Sequence, residues 1–396
     1  MTSASREPSP SPLHFREPGY QMPSNAGAGT SQRATCGARQ GAKMRNKNRQ
    51  FSIGVAAATL FASAAFAGGE AGKLELRDLG AKFVGYSTRS ADNGSLDVLN
   101  PLFVQYVLPA RKRHEYPVVF IHGGGGQGTD WLETPDGRDG WVDYFVADGW
   151  DVYVVDRPGH GRAQSNAGCG NGMVRVGNSA IISRLSTSAP DVWPGGAPTP
   201  TNDAVVGWTA SSTTAPYCGD ALAAETISAL LDEIGPAVLL AHSAGGGSTF
   251  RVPELNPEKV VGIIGFEAAG MNPVAPGFNN SPAPIASWKT EPALPATFAA
   301  VDNDGCAMQG ERPSRLVNYA DLPIVLVATE MGTSSKSAIE CAASVWNQAG
   351  AKASAVYLPD RGLAGGGHFA MAQLDNGDYA KVFIELAAGI EAAAGK

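Results

Sequence analysis

The chain has 396 residues, 43% of them hydrophobic and 17% charged, with 49 glycines and 27 prolines, which fits a globular protein with a sizeable core and many turns. Its net charge of −7 is unevenly placed: residues 1–67 carry eight Lys and Arg against two Glu, a balance of +6, leaving −13 on the remainder. An acidic body argues against nucleic acid or an anionic membrane as partner and leaves small-molecule substrates open.

Residues 1–43 are rich in Ser, Pro, Gly and Arg without hydrophobic periodicity and read as disordered, upstream of a second methionine, Met44, that is a candidate translation start. Residues 44–67 read as a signal peptide: a basic stretch from Met44 to Gln50, an apolar run from Phe51 to Phe66, and the small residues Ala65 and Ala67 around the expected cleavage point. The apolar run is shorter than the ~20 residues a membrane span needs. Export to the periplasm or medium is therefore expected, with a mature chain from Gly68. Cys36 lies in the lost segment, and the four remaining cysteines suggest two disulfides. Cys169–Cys218 and Cys306–Cys341 are favoured as the nearest pairs along the chain. No C-x-x-C or Cys/His cluster suggests a metal site.

Residues 68–396 alternate strand and helix patterns. The runs around Lys82–Tyr86 and Leu102–Val107 predict an antiparallel hairpin. Tyr116–Ile121 predicts a buried strand and empties into His122-Gly123-Gly124-Gly125-Gly126, a loop whose bare backbone N–H groups can face a developing oxyanion. A phosphate loop is excluded because the G-K-[ST] element is missing. Gly140–Gly149 predicts a helix closed by glycine, and Trp150–Asp156 a strand running into Arg157-Pro158-Gly159-His160-Gly161-Arg162. Residues 163–218 lose periodicity and are expected to form part of a cap. Ala221–Ile234 predicts a helix. Pro236–His242 predicts a strand that ends at Ser243 among small residues, and Ser248–Leu255 a short helix. Lys259–Glu267 and Leu322–Glu330 predict strands ending in carboxylates, with a second cap candidate near 268–320. Ser337–Gln348, Ala353–Leu358 and Tyr379–Ala393 predict helix, strand and closing helix. Strands alternating with helices imply an α/β fold, a mostly parallel sheet covered on both faces.

Strand, serine and helix make Ala241-His242-Ser243-Ala244-Gly245 a candidate nucleophile elbow, a strained turn that tolerates only small residues two positions either side of the serine. A serine hydroxyl needs a base. Of six histidines, His14 is in the tail, His114 in a charged run, and His122 and His160 in earlier loops, read as structural or pocket-lining; His242, beside the serine, is expected to project elsewhere. His368 follows the last strand on a glycine-rich loop and is the candidate base. The orienting acid is Glu267, in an apolar and small-residue context, or Glu330 in a more polar one. Trp131 and Phe369 are candidate pocket walls, with ordinary core aromatics as the alternative.

The order strand-HGGGG, strand-DRPGHGR, strand-AHSAGG, strand-FE and late GGGHF resembles the α/β-hydrolase superfamily over about residues 73–395. More narrowly, with the segment Trp131–Trp141, it is similar to exported bacterial esterases whose triad acid is a Glu after the strand following the elbow. The resemblance implies Ser243 as nucleophile, His368 as base and Glu267 as acid, with the N–H groups of Ala244 and of Gly124 or Gly125 as oxyanion donors. The chain departs from the superfamily pattern in Ala241 and in lacking an Asp at the end of the Leu322 strand, which favours Glu267. The expected activity is serine-dependent hydrolysis of small-molecule carboxylic esters through an acyl-enzyme, with no cofactor; a homodimer is the default assembly. Amide or lactone hydrolysis, acyl transfer, or a non-catalytic hydrolase-like binding protein stand as alternatives.

Overall fold

The computed structural model describes residues 73–163, 174–175, 177, 182, 189, 191–214, 219–276 and 283–395. The tail 1–43, the signal segment 44–67, and Cys36, Cys169 and Cys218 lie outside them.

Eight strands form the central sheet: β1 (Leu76–Val84), β2 (Leu102–Pro109), β3 (Val118–Ile121), β4 (Val152–Asp156), β5 (Ala237–His242), β6 (Val260–Phe266), β7 (Pro323–Ala328) and β8 (Lys352–Tyr357). Their order is β1-β2-β4-β3-β5-β6-β7-β8. β1 runs antiparallel to β2, with Lys82 opposite Val104, and β2 antiparallel to β4. From β4 to β8 every pair is parallel. Parallel strands covered on both faces read as unbroken apolar runs, and every residue of β3, β5 and β6 is buried.

Eight α-helices are described: α1 (Thr129–Leu132), α2 (Trp141–Asp148), α3 (Asp203–Ser211), α4 (Asp220–Ile234), α5 (Gly245–Thr249), α6 (Val252–Leu255), α7 (Lys336–Gln348) and α8 (Asn376–Ala394). Because side chains alternate along a strand, β5 feeds two cores. Leu239 and Ala241 join Ile227 and Leu231 of α4 and Ile339 and Trp346 of α7; Val238 and Leu240 join Trp141 and Phe145 of α2 and Phe383 of α8. α2 stops at Gly149, whose φ of 96° lets its N–H return to the Phe145 and Val146 carbonyls. The predicted helix Ser248–Leu255 is instead two short helices. α5 starts directly after the serine turn, and Pro253, which carries no N–H, sits in the first turn of α6.

The two aperiodic stretches are not featureless. α3 lies in the first, opened by the Asn202 side chain, which accepts the N–H groups of Ala204 and Val205. The second contains two small ribbons, Thr290–Glu291 with Arg315–Leu316 and Val301–Asn303 with Cys306–Met308. The Cys306–Cys341 disulfide ties the second ribbon to α7.

Candidate active site

β5 delivers Ser243 into a sharp turn with φ of 50°, a conformation that costs a non-glycine residue about 1–3 kcal/mol and persists only where its surroundings impose it. Here the Ser243 N–H donates to the Phe266 carbonyl at 3.1 Å, and the Ala269 N–H donates to the Ser243 carbonyl at 2.7 Å. The small neighbours are required by close approach: a Cβ on Gly245 would stand 2.6 Å from the His122 carbonyl oxygen. Ala241 is fully buried between Ile121 of β3 and Gly265 of β6, which leaves room for a methyl group at that position.

His368 Nε2 lies 3.0 Å from Ser243 Oγ. The loop carrying it is held by its backbone. The His368 carbonyl accepts a hydrogen bond from His242 Nε2 at 2.8 Å, and the Gly366 carbonyl accepts from the Met331 N–H at 2.8 Å. Glu330 is exposed, and its Oε2 accepts the Gly365 N–H at 2.7 Å, so this carboxylate braces the loop backbone.

Glu267 stands just past β6, also with a left-handed φ, 47°, and is 3% exposed. Its carboxylate accepts five hydrogen bonds: Thr329 N–H and Oγ1 on Oε1, and Thr333 N–H, Thr333 Oγ1 and Ser334 N–H on Oε2. Oε2 is 3.7 Å from His368 Nδ1, an ion-pair distance rather than a formed hydrogen bond, and Thr333 Oγ1 bridges the gap at 3.3 Å from Nδ1. The Thr333 hydroxyl proton is given to Glu267, so its lone pair is available to the Nδ1–H. Burial pushes the Glu267 carboxyl up, but the adjacent imidazole and the Thr329 and Thr333 donors outweigh it and hold the group below its usual value. Gly332 makes room for this arrangement, since a Cβ there would fall 2.0 Å from Oε1.

The glycine loop closes over the serine from β3. Gly124 faces Ala244, where an added Cβ would meet the Ala244 methyl at 3.2 Å. Gly124 is exposed at the mouth, whereas Gly125 is buried and supplies a left-handed turn, φ 73°. The loop rests on charged supports that the sequence reading left without a role. Buried Arg157 donates through Nη2 to the Gly123 carbonyl at 3.0 Å. Asp156 accepts the Gly128 N–H at 2.6 Å and the Arg162 guanidinium. His122 is fully buried and its pKa falls well below the usual value, first through burial and then through Arg157. It stays neutral, accepting the Arg157 N–H on Nε2 and donating Nδ1–H to the Gly123 carbonyl.

A small cavity with room for about one water molecule opens at Ser243, walled by Gly124, Gly126, Asp130, Trp208, Ser212 and Phe369. Phe369 meets the edge of Trp208 from α3, ring centroids 5.3 Å apart. Trp131 does not line it: fully buried, it packs against Phe120 and Trp141 behind His242, because α1 turns its indole into the core. A larger hollow at Pro236, Val260 and Pro323 lies at the opposite, amino ends of the strands. The residues that sequence reasoning missed are Thr329 and Thr333 around the carboxylate, Asp156 and Arg157 beneath the loop, and Asp130 in the cavity wall. Their one sequence signal is position, at or just past the carboxyl ends of β3, β4 and β7.

The chain is similar in sequence and in fold to known proteins. A protein of Fungal sp. (strain ATCC 74256) named "probable secreted lipase phiG" is 29% identical over 316 residues, 72% of this chain and 84% of the relative. A solved structure described as a novel bacterial esterase superposes with a TM-score of 0.60 at 20% identity, covering 81% of this chain and 98% of that one, a likeness of fold. Residues 116–323 match the family described as alpha/beta hydrolase fold, a span that runs from β3 through the elbow to the start of β7. The chain belongs to the alpha/beta hydrolase family.

Proposed function

We propose that the protein is a serine hydrolase that cleaves carboxylic esters through an acyl-enzyme on Ser243. The observation that carries this reading is the 3.0 Å approach of His368 Nε2 to Ser243 Oγ, with the Glu267 carboxylate buried behind Nδ1. In the proposed reaction Ser243 Oγ attacks the ester carbonyl while Nε2 takes its proton. The imidazolium so formed places its charge against Glu267, directly and through Thr333 Oγ1. The carbonyl oxygen, now an oxyanion, accepts the N–H of Ala244 and of Gly124; the buried turn at Gly125 shapes the loop. One such donor contributes roughly 3 kcal/mol to the transition state. His368 then protonates the leaving alcohol, activates water for attack on the acyl-enzyme, and returns the proton to Ser243. All of this uses the chain's own side chains and backbone.

The name of the fungal relative supports ester cleavage and export. Processing after Ala67 belongs to the same proposal, and among the described residues no helix is long and apolar enough to cross a membrane. The stretches 163–218 and 268–320 are proposed as cap insertions on the hydrolase domain 68–396, and α3, which supplies Trp208 to the cavity, supports that role for the first.

Turnover of p-nitrophenyl acetate and butyrate tests the assignment. Ser243→Ala is expected to lose about 10⁴-fold or more in kcat, and Glu267→Gln about 10³-fold. Glu330→Gln, which weakens only a brace on the loop, should lose less than about tenfold. If Glu330→Gln fails and Glu267→Gln survives, the acid is misassigned. Absence of turnover together with failure of a fluorophosphonate to label Ser243 overturns the serine mechanism.

A further inference from the structure

Eleven large hydrophobic side chains are exposed among the described residues, and six of them lie between positions 76 and 98: Leu76, Leu79, Phe83, Tyr86, Leu96 and Val98. The first three belong to β1, an edge strand of nine residues that pairs, among the described residues, only with β2. A cluster of exposed apolar side chains marks a surface that meets another, and an open strand edge adds a row of backbone donors and acceptors. β1 carries no proline, and its one irregularity stands between Leu76 and Asp78, so the ladder from Asp78 to Val84 is regular. Its side chains alternate. Lys82 turns to α4, where its Nζ lies 2.6 Å from Glu233, and Phe83 to the other face, where its ring packs 5.2 Å from that of Phe103. Asp78 therefore shares a face with Lys82, and Leu79 and Ala81 share one with Phe83.

The Ala110 N–H donates to the Glu75 carbonyl, so the even-numbered residues of β2 face β1, and their partners Asp78, Gly80 and Lys82 spend their backbone groups on β2. Leu79, Ala81 and Phe83 hold theirs at the open edge, and the Leu79 N–H accordingly turns to the Asp78 side chain at 2.9 Å. A second β1, run antiparallel about a two-fold axis at Gly80, sets Leu79 opposite the partner's Ala81 as a hydrogen-bonded pair. The same register sets Asp78 opposite the partner's Lys82, twice over. Registers centred on Asp78 or Lys82 bring like charges face to face, and those centred on Leu79 or Ala81 pair no charges. We propose that β1 is a homodimer interface in which two copies pair edge to edge about Gly80. Their sheets join into one, Leu79 and Phe83 are covered, and Lys82 stands between Glu233 of its own chain and the partner's Asp78. This proposal does not depend on the chemistry at Ser243.

Sedimentation velocity of the mature protein at micromolar concentrations tests it, with melting curves to check that each variant folds. The wild type should sediment as a dimer. Asp78→Lys and Lys82→Glu each set like charges opposite one another in both copies of the pair, so each alone should raise the dimer Kd by about tenfold or more. Mixed together, the two variants recover both opposite-charge pairs and should form a heterodimer within about threefold of wild-type strength. That rescue is specific to the register about Gly80. A second measurement stands even if a charge variant does not fold. Residues of a hydrogen-bonded antiparallel pair have Cα atoms about 5.5 Å apart, within disulfide reach, so the double variant Leu79→Cys, Ala81→Cys should cross-link into a covalent dimer on mild oxidation. A monomeric wild type overturns the proposal. So does a dimer that survives both charge variants, which would form on another face, and so does weakening without rescue or failure of the cross-link.

Discussion

Two buried carboxyls a short distance from one serine are held in opposite states by their neighbours. Glu267 accepts five hydrogen bonds and stays charged. Thr333 contributes two of them and alone touches the imidazole as well. Thr333→Val keeps the backbone donor and the shape but removes the bridge, so kcat should fall about tenfold or more with KM little changed, which steady-state kinetics reads directly. Asp130, with its pKa raised to about 8, works the other way on stability. Between about pH 4 and 8 the unfolded chain has released this proton while the folded chain retains it, so stability falls as pH rises across that window. Asp130→Asn removes the effect. Melting curves should show the variant gaining on the wild type from pH 4 to 8, with the gap constant above. A flat difference across that range would mean that the wild-type carboxyl titrates normally. Of these residues, Ser243, His368 and Glu267 could be picked from sequence because each ends a strand or a glycine run in an apolar setting. Thr333 could not: its partner is 66 positions away, and a threonine in a polar loop has no periodicity to mark it.

Elements that bury a whole face announce themselves. Every residue of β5 is buried, and its apolar run is continuous in sequence; α4 shows the i, i+3, i+4 spacing because one side of it packs on the sheet. α3 escaped notice because Gly207 and its serine and threonine residues dilute that spacing, and its apolar contacts are few: Ala204, Val205 and Trp208. The ribbon Val301–Asn303 with Cys306–Met308 was equally silent, its first strand fully exposed and its second only half-buried. Such an element depends on its tether. The Cys306–Cys341 link spans 35 positions, and closing a loop of that length removes about 3–4 kcal/mol of freedom from the unfolded chain. Thermal melts with and without reductant should therefore differ by several degrees, and Cys306→Ser should abolish the difference contributed by this bridge.

Across the molecule, the carboxyl ends of the strands collect the candidate site residues. β3 runs into the glycine loop, β4 into Asp156 and Arg157, β5 into Ser243, β6 into Glu267, and β7 into the Thr329 and Thr333 donors, while His368 arrives after β8. That convergence follows from parallel strands with right-handed returns, and so the alternation of strand and helix patterns foretold it without any distance being known. The shape of the cavity was not foretold, because Trp208 and Asp130 reach it from segments with no pattern of their own. Protein recovered from outside the cell should begin at Gly68 on amino-terminal sequencing; a start elsewhere would relocate the processing site. Finally, Gln127 of the glycine loop donates through Nε2 to the Ser211 carbonyl at the end of α3, at 2.6 Å. The end of α3 is thus hooked to the glycine loop that follows β3. The α3 segment that walls the cavity with Trp208 and the glycine loop that walls it from β3 are therefore fastened to each other as well as to the sheet, so displacing either one breaks this bond.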